Sequence, residues 1–171
     1  GAALAYPDKP IRLIVPYAPG GITDSLGRAL AEGVSRELKQ PIVVENKAGA
    51  GGQVAAQALK NAPADGNTLF LSHDHTISIL PQVVKNPGFD PAKDFTAVGG
   101  FASFVNALAL SGATPAKTMS EYVAWVRTQG GKGTVGVPAP ASVPEFLVKM
   151  VGQKFKLDLL AAPYRGSAPM M

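Results

Sequence analysis

A run of strand formers, Ile11-Arg12-Leu13-Ile14-Val15, ends abruptly at Pro16-Tyr17-Ala18-Pro19-Gly20-Gly21-Ile22-Thr23-Asp24, and a long amphipathic segment follows. Proline and glycine stop the extended run, and Thr23 or Asp24 supplies a helix-start signal. A strand that feeds a helix through so short a turn is the building unit of an α/β fold. The start of that helix leaves backbone N–H groups unpaired and carries a partial positive charge, which makes it a seat for a carboxylate or phosphate. Two adjacent glycines let a ligand come close to the backbone, because no Cβ stands in the way. A plain βα turn uses the same residues, so the local sequence leaves both readings open.

The alternation continues along the chain. The spacing of Leu26, Ala29, Leu30, Val34 and Leu38 predicts a helix over Ser25–Lys39. A short strand over Ile42–Glu45, a helix over Gly51–Asn61 and a strand over Thr68–Ser72 follow, the last after the Asp65-Gly66 turn. This β-α-β-α-β order predicts a parallel sheet covered by helices. Beyond it we expect a short helix over 73–80, a loop over 81–94, and strands over 97–101 and 106–110. A helix over Ser120–Gln129 is next, with Ser120 as its cap. The pattern ends with a strand over Thr134–Val137, a helix over Val143–Val151 with Pro144 in its first turn, and a strand over Leu157–Ala161. No internal repeat and no low-complexity segment is visible.

Composition narrows the function classes. Hydrophobic residues make up 46% and charged residues 16%, the balance of a well-cored globular chain. The 16 basic residues exceed the 12 acidic ones, but they are scattered and not interleaved with aromatics, so a nucleic-acid partner is not expected. There is no cysteine, which removes disulfides, thiolate metal sites and cysteine nucleophiles together. No apolar run reaches the length of a membrane span. Ala3-Leu4-Ala5 fits the small-residue pattern before a signal-peptidase cut, which would start the mature chain at Tyr6.

Three further segments carry candidate chemistry. Val44-Glu45-Asn46-Lys47-Ala48-Gly49-Ala50-Gly51-Gly52 looks at first like a dinucleotide fingerprint. Counting from Gly49 puts its third glycine position at Val54, which is too bulky, so glycines required by close helix–strand packing are the better reading. Ser72-His73-Asp74-His75 holds both histidines. If the strand continued, the two rings would share a face, but a catalytic metal wants three protein ligands, and no metal or cofactor is expected. These residues either line a cleft at the carboxyl end of a strand or form a polar helix start. Pro138-Ala139-Pro140-Ala141-Ser142 repeats the logic of the first turn, and Ser142 either caps the next helix or donates to a ligand. Two such loops facing one another would hold a small dianion between two helix ends.

The segments Tyr6–Asp24, Val44–Gly52, Ala64–Leu69, Lys93–Phe95, Gly136–Ser142 and Pro163–Pro169, in this order and over nearly the whole chain, resemble the Bug family. Its members are periplasmic solute-binding receptors of tripartite tricarboxylate transporters. The resemblance implies an α/β, periplasmic-binding-protein-like fold of type II, a two-lobed Venus flytrap closing on a small carboxylate, with no catalysis. It implies that Tyr17, Ala18, Pro19, Gly20, Gly21, Thr23 and Asp24 on one side, and Ala139, Ala141 and Ser142 on the other, grip the ligand. Their backbone N–H groups and bridging waters would do most of this work. Ser72 and His73 would flank the ligand, and Arg165 would line the cleft or brace the lobes. Ala141 departs from the family pattern, which commonly has glycine there.

Family members are considerably longer than this chain. The expectation is therefore a truncated receptor, with a first lobe over residues 1–98 and an incomplete second lobe over 99–171, open to oligomer formation or strand exchange. By the resemblance, its partners are a small organic acid and the membrane transport subunits, and its location is the periplasm. The rival expectation is an α/β enzyme, a hydrolase or nucleotide-dependent, built on Ser72-His73-Asp74.

Overall fold

β1 (Ile11–Val15) lies between two parallel neighbours, β2 (Ile42–Asn46) and β3 (Thr68–Phe70), in the sheet order β2-β1-β3. Its central place explains its composition. Ile11, Leu13, Ile14 and Val15 are all buried, and only Arg12 reaches solvent, where it makes a two-pronged ion pair with Glu45 on β2 at 2.8 Å. The structure, a computed structural model, describes residues 6–170; the Ala3-Leu4-Ala5 pattern lies outside them. Register runs Leu13 to Val44 on one side and Leu13 to Leu69 on the other. Parallel strands cannot be joined by a hairpin, so each connection carries a helix.

The first connection is α1 (Ile22–Leu38), which presses closely on the sheet. A Cβ at Gly27 would lie 3.0 Å from a Val15 methyl and 3.3 Å from a Leu71 methyl, so only glycine lets this helix sit so low. The helix begins earlier than the Thr23/Asp24 signal predicts. Gly21 is the cap residue and Asp24 falls in the first turn, for a reason that appears in the site geometry. The second connection passes through a single 3₁₀ turn, Ala50–Gly52, into α2 (Gln53–Lys60).

β3 ends at Phe70, two residues before the expected limit, so Ser72–His75 do not extend the sheet and the two histidines do not share a strand face. The chain turns instead into a π-helical turn, His75–Ile79, capped by the Asp74 carboxylate, and then into α3 (Leu80–Val83). Pro81 sits in the first turn of α3, where its missing N–H costs nothing. The expected loop over 81–94 thus starts later and also holds a single turn, α4 (Pro91–Asp94), capped by Asp90.

The strands expected over 97–101 and 106–110 are not formed. Val98 is 88% exposed and Leu108 50% exposed, and no described strand runs beside them. Their apolar content marks strand-capable sequence, but a strand exists only where a neighbour completes its ladder.

The second parallel pair is β4 (Lys132–Val137) with β5 (Asp158–Pro163). α5 (Met119–Thr128) precedes it and is capped not by Ser120 but by Thr118, whose hydroxyl accepts the Glu121 N–H at 3.2 Å. α6 (Val143–Phe155) connects the two strands and runs one turn past its expected end. Tyr122, Val123 and Val126 of α5 make a small core with Ala116 and Leu157, and Trp125 packs at its margin.

Candidate functional site

Two loops leave the carboxyl ends of β1 and β4 and enter the amino ends of α1 and α6. This is where open α/β sheets place their ligands. A strap after β5 joins the loops. Tyr164 N–H donates to the Val137 carbonyl (2.8 Å), Gly166 N–H to Pro138 (2.9 Å), and Ala18 N–H to Arg165 (3.1 Å). Ser167 and Ala168 then lie against Gly21 and Gly20.

In the first loop the Asp24 side chain is buried and fully engaged. One carboxylate oxygen accepts from Gly20 N–H (2.9 Å) and from Arg28 Nε (3.0 Å), and the other accepts from Asn46 Nδ2 (2.9 Å). The same Asn46 amide donates to the Tyr17 carbonyl at 3.0 Å. Burial pushes the Asp24 pKa up, but the bonds from Arg28, Gly20 and Asn46 outweigh it and leave the value at about 2. Asp24 is thus a brace of the loop, already fully paired. The N–H groups of Gly21, Ile22 and Thr23 find no acceptor among the described residues, and they form the open donor set of this helix end.

In the second loop Ser142 is the cap. Its hydroxyl donates to the Ala139 carbonyl (2.7 Å) and accepts the Glu145 N–H (3.4 Å), so it does the capping of the two roles expected for it. The Ala141 N–H goes to the Glu145 carboxylate at 2.6 Å. Because Pro144 has no N–H, the open donors here are those of Ser142 and Val143. Ala141 has φ +52°, a left-handed conformation that a Cβ disfavours, which gives a physical reason for glycine at this position.

Between the loops lies a cavity of about 190 Å³. Tyr17 and Arg165 line it. Its other walls are Gly49, Ala50 and Gly51 from the second βα turn, Pro138 and Pro140 from the β4 loop, and Pro163 and Tyr164 from the strap. Ala18, Pro19, Gly20, Gly21, Thr23, Asp24, Ser72, His73, Ala139, Ala141 and Ser142 are not among the lining residues. The Gly49–Gly51 wall was visible in the sequence but read as packing, and packing does account for its glycines. A Cβ at Gly49 would come 2.9 Å from a Val54 methyl, one at Gly51 2.7 Å from His75 Nε2, and one at Gly52 would run into the Thr76 hydroxyl. The position of this turn at the end of a parallel strand was the signal for a wall of the cleft.

His73 stacks on Tyr17, with ring centroids 5.1 Å apart and planes 10° from parallel, and Phe104 meets His73 edge-on at 5.5 Å. Burial pushes the Tyr17 pKa up to about 12, against the lowering effect of the nearby Thr76 hydroxyl. His75 is 4% exposed, and neither ring nitrogen has a partner among the described residues; burial, aided by neighbouring His73, lowers its pKa to about 4 despite Asp74. The Ser72 hydroxyl donates to the His73 carbonyl at 3.3 Å, not to an imidazole, so no activated serine is assembled. Among the described residues no group of three metal-ligating side chains comes together, and no helix is long and apolar enough to cross a membrane.

The profile of a family described as the tripartite tricarboxylate transporter family receptor matches residues 26–171. The chain belongs to this receptor family. A curated relative, the UPF0065 protein in the gbd 5′ region of Cupriavidus necator, is 34% identical over 166 residues. That match takes in 97% of this chain and 50% of the relative, so the chain spans about half the length of the curated relatives it matches. Among solved structures, one described as a periplasmic transporter superposes with a TM-score of 0.90 at 37% identity, covering 97% of this chain and 56% of the other. A Rhodopseudomonas palustris protein solved with adipate gives 0.88 at 31% identity, covering 96% and 55%. MatC of the same organism, solved with bound malate, gives 0.76 at 28%, covering 96% and 56%. The receptor-family fold is therefore periplasmic-binding-protein-like, and the loops at the ends of β1 and β4 belong to that framework.

Proposed function

We propose that this chain forms carboxylate-binding surface of an extracytoplasmic solute receptor, which captures a small organic acid in the periplasm and passes it to membrane transport subunits without chemical change. The observation that carries the reading is the pair of loops that lead from β1 and β4 into the amino ends of α1 and α6, with Tyr17 of one and Pro138 and Pro140 of the other on the wall of one cavity. Their open N–H groups bind an anion without a buried counter-charge, which suits a receptor that must release what it holds. Arg165 adds the one cationic side chain of the cavity wall. The adipate and malate held by two structural neighbours support a ligand of this class. Within this reading residues 1–98 belong to one lobe and 99–171 to the other. Tyr17, Ala18, Pro19, Gly20, Gly21 and Thr23 form the first grip, Ala139, Ala141 and Ser142 the second, and His73 backs Tyr17.

Calorimetric titration of the protein with linear dicarboxylates from succinate to pimelate, and with malate, tests the proposal. Saturable one-to-one binding, with the acid recovered unchanged, is the expected result. Binding of none of these acids, or their conversion, overturns it.

A further inference from the structure

The two ligand loops are built on one plan that the sequence hides behind a one-residue difference. Aligned on the cap residues Gly21 and Ser142, both begin with Val-Pro at the strand end. Both place Ala-Pro just before a left-handed residue, Gly20 at φ +83° and Ala141 at φ +52°. Tyr17 is the extra residue of the first loop. Each cap carbonyl accepts the first helical hydrogen bond at 3.0 Å, from Ser25 and from Phe146. Each helix then carries an acid three positions after the cap, whose carboxylate reaches back to the N–H of the left-handed residue: Asp24 to Gly20 at 2.9 Å and Glu145 to Ala141 at 2.6 Å. Each acid is paired with a cation one turn further on, Arg28 at 3.0 Å and Lys149 at 2.8 Å.

The physical problem at both places is the same. A carboxylate in the first turn pins the loop and suits the helix dipole, but its charge stands beside the donors meant for an anionic ligand. A cation within hydrogen-bond distance cancels that charge and leaves the grip on the backbone intact. We propose that Asp24–Arg28 and Glu145–Lys149 are paired positioning dyads of the carboxylate site. The acid fixes the left-handed residue and with it the loop that leads to the open N–H groups, and the base shields the ligand from the acid. This inference rests on the carboxylate-receptor reading above. It adds Arg28, Glu145 and Lys149 to Asp24, none of them lining the cavity, as residues through which that reading sets affinity.

The second dyad is the safer one to test, because Lys149 is largely exposed. Three variants are titrated with the succinate-to-pimelate series. Lys149→Ala leaves the acid unshielded and is expected to weaken binding about fivefold, the scale of one uncompensated charge at a helix end. Glu145→Gln combined with Lys149→Ala keeps an acceptor for the Ala141 N–H but removes the charge, and is expected to return affinity to within about twofold of the unmodified protein. Glu145→Ala loses the acceptor, weakens binding, and exposes the Ala141 amide to hydrogen exchange. Rescue by the neutral double variant is the signature, since a purely structural pair would make the double variant worse than Lys149→Ala. If the double variant binds no better than Lys149→Ala, the dyads are wrong while the receptor reading stands. If the unmodified protein binds no acid of the series, the receptor reading fails and takes the dyads with it.

Discussion

The backbone N–H of Ala18 donates to the carbonyl of Arg165 across 3.1 Å, tying the loop after β1 to the strap after β5. The residue that anchors the strap therefore also lines the cavity, and its two ends do different work. The main chain holds the loops together, and in the proposed receptor the guanidinium supplies charge to the cleft.

This division predicts that Arg165→Gln leaves the fold in place, because the carbonyl remains. Carboxylate affinity should fall about tenfold, the loss of one charge-assisted contact. Calorimetry and thermal melting read the two quantities separately. A fall in melting temperature that accounts for the whole loss of binding would argue that the side chain braces the lobes.

The two left-handed loop residues make opposite predictions. Gly20 at φ +83° has open space where a Cβ would go, its nearest neighbour being the Ala168 methyl at 3.9 Å, so Gly20→Ala costs backbone strain, not a clash. A loss of about 1–2 kcal/mol in unfolding free energy is expected. Ala141 already bears that strain at φ +52°, so Ala141→Gly should stabilise the protein by about 1 kcal/mol. Urea titration measures both, and equal signs would contradict the loop geometry.

His75 gives a pH dependence. Its folded pKa, about 4, lies below its ordinary value of 6.5, so between these values the unfolded chain holds more protons. The contribution of the neutral buried ring is fully present above pH 6.5 and is lost as pH falls through the window toward 4, by on the order of 3 kcal/mol at most. Asp24, with a folded pKa of about 2, acts only below that window. The urea midpoint should fall between pH 7 and 4.5, and His75→Gln, whatever its own stability, should reduce the slope to the part that comes from His73, whose pKa burial also lowers. Parallel slopes would contradict the assignment.

Much of the fold was legible because its signals are local. Apolar β1, the spacing of α1, Pro144 in a first turn and the cap at Ser142 each follow from a few neighbouring residues. What escaped depended on distant partners. The segments at 97–101 and 106–110 have strand composition, but no described strand pairs with them. Asp24 read as a helix start or a ligand contact, since nothing nearby reveals that Asn46, from the end of β2, turns it into a brace. The wall at Gly49–Gly51 was masked because its glycines already have a packing reason in Val54, His75 and Thr76.

In the proposed receptor the open N–H groups of the two helix ends receive a carboxylate. Amide chemical shifts measured during titration with the succinate-to-pimelate series test it residue by residue. The amides of Gly21, Ile22 and Thr23, together with Ser142 and Val143, should move downfield along one saturating curve, and Gly21→Ala should weaken that curve, since its added methyl crowds the first donor set beside Ser167. Saturable binding that leaves these five amides unmoved would contradict the account.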